Sequence, residues 1–330
     1  MERNQDKHLL LDTSLEGEQP RKRPRTSAKL AREVGLMRSV PGDKFTGFVG
    51  SASGIFFIRS VYDAIRRSQP AVSTVSDTPA SDIVPGEDDR LPLVQPDSAE
   101  RLWKDYEIAP SSLLHAAFPD LVAFSASYFA NWHPFYPFLH APAVLEFIRE
   151  FSHSGCTDYN NSEDLRLVVL RSIISISLAD HRQSPHPGLT PYPPRLIFLT
   201  YDAAVDSLRH VLLRPATLLT LQAAISIQLF LVSMLRLNAA SRLGGLIIRM
   251  AVQLGLHRCP ARFSSFSLHE RELRQRVFWS VYAIDRFICQ SMGLPLGLHD
   301  DDVDVCFPLA EKHLQTQVEH GMLLQTVSTV

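Results

Sequence analysis

Leu218 to Leu235 runs for eighteen positions without a charged side chain, and two segments with helical periodicity follow it directly. A segment this apolar has two outlets: a membrane, whose hydrocarbon core takes about 20 residues of helix, or the centre of a bundle that covers it on all sides. Gln222, Ser226 and Ser233 fall on one narrow stripe, and the flanking segments carry their charges on one face only. The bundle is therefore expected, with no membrane partner.

In the first of those segments Leu243, Leu246, Ile247, Met250 and Leu254 share a face, with Arg242, Arg249 and Gln253 on another. Gly255 is placed to stop that helix in the left-handed conformation, with Leu256 folding back on the last turn. Gly244-Gly245 inside it costs roughly 1 kcal/mol per glycine relative to alanine, which predicts a close helix-to-helix approach. The second segment opens at Ser267 with Glu270 three residues on, the pattern of a reciprocal capping box. Leu273, Val277, Val281, Ile284 and Ile288 then form one stripe, flanked by Arg271, Arg274 and Gln275, along a rod of roughly 35 Å. Asp285 and Arg286, with Arg274, Arg276 and Glu272 nearby, predict a charge network pinning helix to helix.

The rest of the chain divides by composition. Residues 1–44 are polar and basic without periodicity and are expected to be a disordered tail. Residues 45–67 turn apolar, with Ile55, Phe56, Ile58, Val61, Tyr62 and Ile65 near helical spacing, and predict a short helix packed on the body. Residues 68–97 hold five prolines and six acidic side chains among Ser and Thr, a composition that cannot offset chain entropy and reads as a linker. Helical patterns dominate residues 98–330, and strand and hairpin signals are scarce. The expected fold class is all-α.

The 330 residues are 45% hydrophobic with a formal charge of -2, enough for a large core and too little charge to hold nucleic acid by an overall field. Basicity concentrates instead in Arg21, Lys22, Arg23 and Arg25, continued by Lys29 and Arg32. Clustered cations on an unfolded tail are what nuclear import receptors read, so these four are the candidate nuclear localisation residues. Pro20 to Pro24 also resembles an AT-hook core, but Lys22 stands where that motif needs glycine. The four cysteines, Cys156, Cys259, Cys289 and Cys306, have no C-x-x-C spacing and suit a reducing compartment.

Chemistry-bearing motifs fail on inspection. Asp300, Asp302, Asp304 and Glu311 imitate a calcium loop, but Val305 occupies the position that must turn as glycine and Pro308 blocks the second helix. Gly50 to Gly54 puts Ala52 where a nucleophile elbow needs serine, and no phosphate-binding glycine loop occurs. His133 and His140 bracket a Pro- and aromatic-rich turn and read as packing residues; no metal site or catalytic set is expected.

A longer pattern does carry information. Tyr128 to His140, Arg249 to His257 (with Gly255), Glu270, Glu272 and Arg274, Val277-Phe278-Trp279, Asp285-Arg286, Gly293 with Pro295, and Asp300 to Asp304 (with Asp302) follow in order. Phe48-Val49-Gly50 and Ser53-Gly54 extend it more weakly. This order resembles the fungal-specific transcription factor domain, the regulatory middle homology region of zinc-cluster transcription factors of the xylanolytic-activator type. The resemblance implies a helical regulatory domain of a nuclear transcription regulator. The motif residues Arg249, Gly255, His257, Trp279, Asp285, Arg286, Gly293, Pro295 and Asp302 are then structural. Leu294 departs from the arginine common in the family, Ser241 from a frequent tryptophan, and Cys306 lies near a usual proline.

The resemblance also implies a binuclear zinc cluster upstream, which needs six closely spaced thiolates that these four cysteines cannot provide. No cofactor is therefore expected in this chain, which looks clipped at both ends relative to the family. Promoter DNA would be reached through a missing module or a partner. The nuclear import machinery, a homo- or heterodimer and a small-molecule effector are the remaining expected partners. A small-molecule-binding sensor or protein-interaction domain without DNA contact is the alternative reading.

Overall fold

In the computed structural model, residues 35–39, 46–68, 102–110, 116–158, 164–182 and 191–307 are described. The basic run, most of the tail and the linker beyond residue 68 lie outside them. The fold is all-α: α1 (Gly54–Ser68), α2 (Phe118–Asn131), α3 (Ala141–Asp158), α4 (Leu165–His181), α5 (Tyr201–Leu212), α6 (Leu218–Ser233), α7 (Leu237–Gln253) and α8 (Leu268–Met292).

The uncharged run forms α6, and it is the centre of the bundle. Every residue from 220 to 232 is buried, and among the described residues no helix is long and apolar enough to cross a membrane. Thr217 and Thr220 begin it with a reciprocal cap: Thr220 N–H donates to Thr217 Oγ1 at 3.1 Å and Thr217 N–H to Thr220 Oγ1 at 2.7 Å. α4 packs along α6, α2 lies on α4, α7 lies on the other flank of α6, and α8 packs on α7. The two buried amides of α6 are paired. Gln222 Nε2 donates to the Phe138 carbonyl at 2.7 Å and Gln228 Nε2 to the Ala240 carbonyl at 3.0 Å, as buried amides must be to avoid a desolvation penalty.

Gln228 also accounts for the glycine pair, though only half of it. A Cβ at Gly244 would lie 2.8 Å from Gln228 Nε2, whereas one at Gly245 would meet nothing within 4 Å. The close approach is thus made by Gly244 alone; Gly245 is exposed.

Two local readings differ from the structure. Ser267 Oγ accepts the Glu270 N–H at 3.2 Å as expected, but the Glu270 carboxylate turns to Arg274 Nε at 3.3 Å. A basic neighbour one turn on competes well with the backbone N–H for a carboxylate. Near the N-terminus, β1 (Leu36–Ser39) pairs antiparallel with β2 (Thr46–Val49), a hairpin that straddles the boundary expected at residue 44. Gly35 onward falls in the same compact unit as the helices.

The junction between hairpin and body is specific. Gly50 N–H donates to the Met292 carbonyl at 3.1 Å, and Ser53 Oγ caps α1 by accepting the Phe56 N–H at 3.0 Å. α1 itself leaves Phe57, Ile58, Val61, Tyr62 and Ile65 exposed. It packs against α8 and Phe56 is half-buried, while the exposed residues leave much of its described apolar surface uncovered.

Candidate functional site

The motif residues gather where the end of α7, the face of α8 and the chain from residue 293 to 307 meet. α7 ends in a Schellman motif: Gly255 takes φ 69°, its N–H bonds the Val252 carbonyl at 3.0 Å, and Leu256 N–H bonds the Ala251 carbonyl at 3.0 Å. That reversal delivers His257 and Cys259 to the returning chain. The His257 carbonyl accepts the Asp304 N–H at 3.2 Å, and Asp304 Oδ1 accepts the Cys259 N–H at 2.8 Å. Arg262 and Arg258 reach Asp304 Oδ2 at 2.7 and 3.5 Å. Burial raises the Asp304 carboxyl, but the Cys259 N–H and the two guanidiniums outweigh it and hold it below its ordinary value.

α8 supplies the facing side. Arg274 donates to the Leu254 carbonyl at 3.1 Å while its guanidinium lies 3.9 Å from the Phe266 ring centroid, a cation at the C-terminal end of α7. Trp279 Nε1 donates to the Cys306 carbonyl at 2.9 Å, and its ring stacks on Phe307 at 4.4 Å. Leu294, in the position where the family commonly has arginine, is partly buried against the core.

One helix turn beyond Tyr282, Asp285 and Arg286 form a charge network that ties α8 to the chain after it, where a helix-to-helix network was expected. Arg286 bonds Asp285 Oδ2 at 3.0 Å, Asp300 Oδ1 at 2.7 Å and the Leu298 carbonyl at 2.8 Å, and its guanidinium sits 4.0 Å from the Tyr282 ring centroid. Tyr282 OH donates to the same Asp300 oxygen at 2.9 Å. Bonds from Tyr282 and Arg286 hold the Asp300 carboxyl below its usual range. Burial would lower the Arg286 pKa, but its bond to Asp300 and the Tyr282 contact leave it raised. Asp285 also accepts the Gly297 N–H at 3.1 Å and lies 3.6 Å from Cys289 Sγ, whose thiol burial and the Asp285 charge push up to about 11.

This arrangement is a latch. The guanidinium faces two carboxylates and a carbonyl, so donors that would grip a ligand carboxylate in the fork geometry are engaged within the chain.

Gly293 closes α8 at φ 67°, and a Cβ there would stand 2.6 Å from the Gly50 carbonyl oxygen. The backbone of the hairpin exit therefore lies against the end of α8, and the Phe48-Val49-Gly50 element belongs to the same junction. The Pro295 carbonyl accepts the Cys289 thiol at 3.2 Å. Arg249 is exposed on α7, and Asp302 is exposed in the short 3-10 turn Asp300–Asp302; neither joins the latch among the described contacts. Arg21, Lys22, Arg23 and Arg25 lie outside the described residues. Asp300 and Asp304, quoted from the sequence only as part of an acidic motif, carry the geometry together with Tyr282, Gly297 and Arg262, which the sequence did not single out.

A second polar layer ties α2 to α4. Trp132 Nε1 donates to both Asp180 oxygens at 3.0 and 2.9 Å, and Ser127 Oγ donates to Asp180 Oδ2 at 2.8 Å. Buried Glu107 is gripped by Arg182, whose Nε lies 2.8 Å from Oε1. Burial and then the Arg276 guanidinium lower His133 to about 4, and burial, His269 and then Arg276 lower His140. Neutral imidazoles in these positions are packing groups, as their Pro- and aromatic-rich setting suggests. Among the described residues no group of three or more His, Cys, Asp or Glu is placed to hold a metal ion.

Residues 126–320 match the family model of the fungal specific transcription factor domain. Over 323 residues the chain is 32% identical to the probable transcription factor FUP6 of Fusarium proliferatum, covering 92% of this chain and 44% of that protein. The transcriptional activator protein acu-15 of Neurospora crassa is 30% identical over 185 residues, 55% of this chain and 18% of its own length. Protein STB5 of Saccharomyces cerevisiae is 40% identical over 70 residues, 21% of this chain and 9% of its own. The chain thus spans less than half the length of these relatives. No solved structure matches it. A family match that takes in more than half of the sequence, over the helices that carry the latch, means that this chain belongs to the fungal-specific transcription factor domain family.

Proposed function

We propose that this chain is the regulatory region of a nuclear transcription regulator of the fungal zinc-cluster class, reaching promoter DNA through a separate module or a partner protein. The supporting observation is the family match over residues 126–320, reinforced by relatives whose names are transcription factors and activators rather than enzymes. A binuclear cluster draws on six cysteines, and this sequence has four, of which Cys259, Cys289 and Cys306 are buried in the helical body. Residues 21–25 would carry it to the nucleus, since they form a compact cationic run.

The test is a fusion of residues 1–330 to an unrelated DNA-binding module, read on a reporter carrying that module's site. Reporter output that rises or falls with the fusion, and not with the module alone, is the expected result. An expressed, nuclear fusion with no effect on the reporter would count against the regulatory reading. A parallel measurement replaces Arg21, Lys22, Arg23 and Arg25 by alanine in a fluorescent fusion: nuclear signal should drop, and unchanged accumulation would remove this run as the necessary signal.

A further inference from the structure

Cys259 and Cys306 are 47 positions apart in sequence, yet their sulfurs lie 2.8 Å from each other and both side chains are buried. Two thiols that share a buried contact are poised for a covalent bond by small side-chain rotations. We infer that Cys259 and Cys306 are an oxidative modification site that takes a hydroperoxide as its oxidant and closes to a reversible disulfide. This goes beyond the regulatory reading and does not depend on it.

The segment carrying Cys306 decides the order of events. Residues 304–307 follow the short 3-10 turn without regular secondary structure and are held at Asp304, at the Cys306 carbonyl and by the Phe307 stack. Phe307 is 58% exposed. Local opening of such a segment admits a small oxidant to its own sulfur first.

The Cys306 thiolate attacks one peroxide oxygen, the O–O bond breaks, and the departing hydroxide takes a proton and leaves as water. The sulfur is then a sulfenic acid. As the segment closes, the Cys259 sulfur, losing its proton, attacks the Cys306 sulfur; the S–O bond breaks and a second water leaves. The two sulfurs together give up two electrons, which the peroxide oxygens accept. A resolving thiol in contact captures the sulfenic acid before a second oxidant can carry it to the irreversible sulfinic state.

Geometry separates this pair from Cys289. That thiol is directed at Asp285 and the Pro295 carbonyl, and with its titration pushed up to about 11 it has little thiolate to offer. The new bond would tie the loop after α7 to the chain after α8, where Asp304 already holds them together. It would add a covalent tie to that non-covalent junction.

The test uses the purified, reduced full chain, treated with hydrogen peroxide near stoichiometry, then alkylated and digested without reductant for mass spectrometry. A peptide joining Cys259 to Cys306 is expected, released by dithiothreitol, with the melting temperature raised by several degrees and restored on reduction. Cys289→Ser should keep the link. Cys259→Ser should lose it and leave Cys306 trappable as a sulfenic acid by dimedone. Both variants are checked for native helicity by circular dichroism before oxidation. Recovery of Cys259 and Cys306 alkylated or over-oxidised in the folded parent, or a link made to Cys156 or Cys289 instead, would overturn the assignment.

Discussion

The backbone N–H of Gly297 donates to Asp285 Oδ2 at 3.1 Å, joining the chain after α8 to a carboxylate about two turns inside the end of that helix. Asp285 is 9% exposed and also bonds Arg286, which reaches on to Asp300 and the Leu298 carbonyl. One buried acid therefore sets the path of the returning chain and orients the arginine that fixes its next turn. This explains how a short segment without regular structure can belong to the domain core: it is held through side chains of α8.

Substituting the two residues should weaken that hold by different amounts. Asp285→Ala leaves the Gly297 N–H and part of the Arg286 charge without their partner, a loss of about 3 kcal/mol. In Gly297→Ala the new Cβ would stand 2.5 Å from Ile248 Cδ1 and 2.8 Å from Asp285 Oδ1. Both are side-chain ends that can give way, so about 1–2 kcal/mol is expected. Urea midpoints measure both; a Gly297→Ala loss as large as that of Asp285→Ala would mean that backbone packing, not the carboxylate, governs the segment.

The keel of the bundle is tested at Val281, which is 2% exposed on the inner face of α8. Val281→Asp places a carboxylate among Val277, Ile284 and Ile288 and should cost several kcal/mol out of a typical total of about 5–15 kcal/mol. Gln275→Asp, at a half-buried position on the same helix, should change stability by roughly 0.5 kcal/mol. Thermal melts of the two variants check the contrast. Two similar melting temperatures would contradict the burial of this face.

What could be read from the sequence follows the range of the interaction. The start of α8 at Ser267, the stop at Gly255 and the burial of the uncharged run are decided within a few residues, and the structure has all three. The Glu270 arm of the capping box failed because Arg274, also local, competes for the same carboxylate. The latch was legible only as a charge network. Five residues from Asp300 to Asp304 hold four carboxylates with no periodicity to say which bond to the helices, and Asp300 and Asp304, not Asp302, do so among the described contacts. α1 shows the converse limit: periodicity reveals an apolar stripe but not whether anything covers it. The Cys259–Cys306 contact depends on the return of the chain after two helix ends, and nothing in 47 residues of spacing marks it.

Acid should destabilise the protein before its carboxylates titrate. Burial, with Arg276 nearby, holds His133 at about 4 in the folded chain, against an ordinary value near 6.5 when unfolded. Between these values the unfolded state binds more protons, so stability is full above about pH 6.5 and falls as the pH drops toward 4, by at most about 1.4 kcal/mol per pH unit from this group. His140 is lowered in the same direction by burial, His269 and Arg276. His133→Gln should flatten, without abolishing, the slope of denaturation midpoint against pH between 4 and 6.5. An unchanged slope would show that His133 is solvated.

The last prediction exploits two helix ends of the same kind built from different residues. After α6, Leu235 takes φ 56°, Leu235 N–H bonds the Val232 carbonyl at 3.0 Å and Arg236 N–H bonds the Leu231 carbonyl at 2.8 Å. This is the closing pattern that Gly255 makes after α7. Left-handed backbone costs a residue with a Cβ roughly 1–2 kcal/mol, and Leu235 is 52% exposed, so little packing compensates it. Leu235→Gly removes that strain but adds freedom to the unfolded chain, about 0.4–1 kcal/mol. The net expectation is a gain of about 0.5 kcal/mol and a small rise in melting temperature. Gly255→Ala is the reciprocal variant: a Cβ there meets nothing within 4 Å, so its loss of about 1 kcal/mol is a backbone effect alone. Opposite signs at the two sites are required. A Leu235→Gly variant that melts lower than the parent would mean that the leucine side chain contributes more through contacts than its left-handed backbone costs.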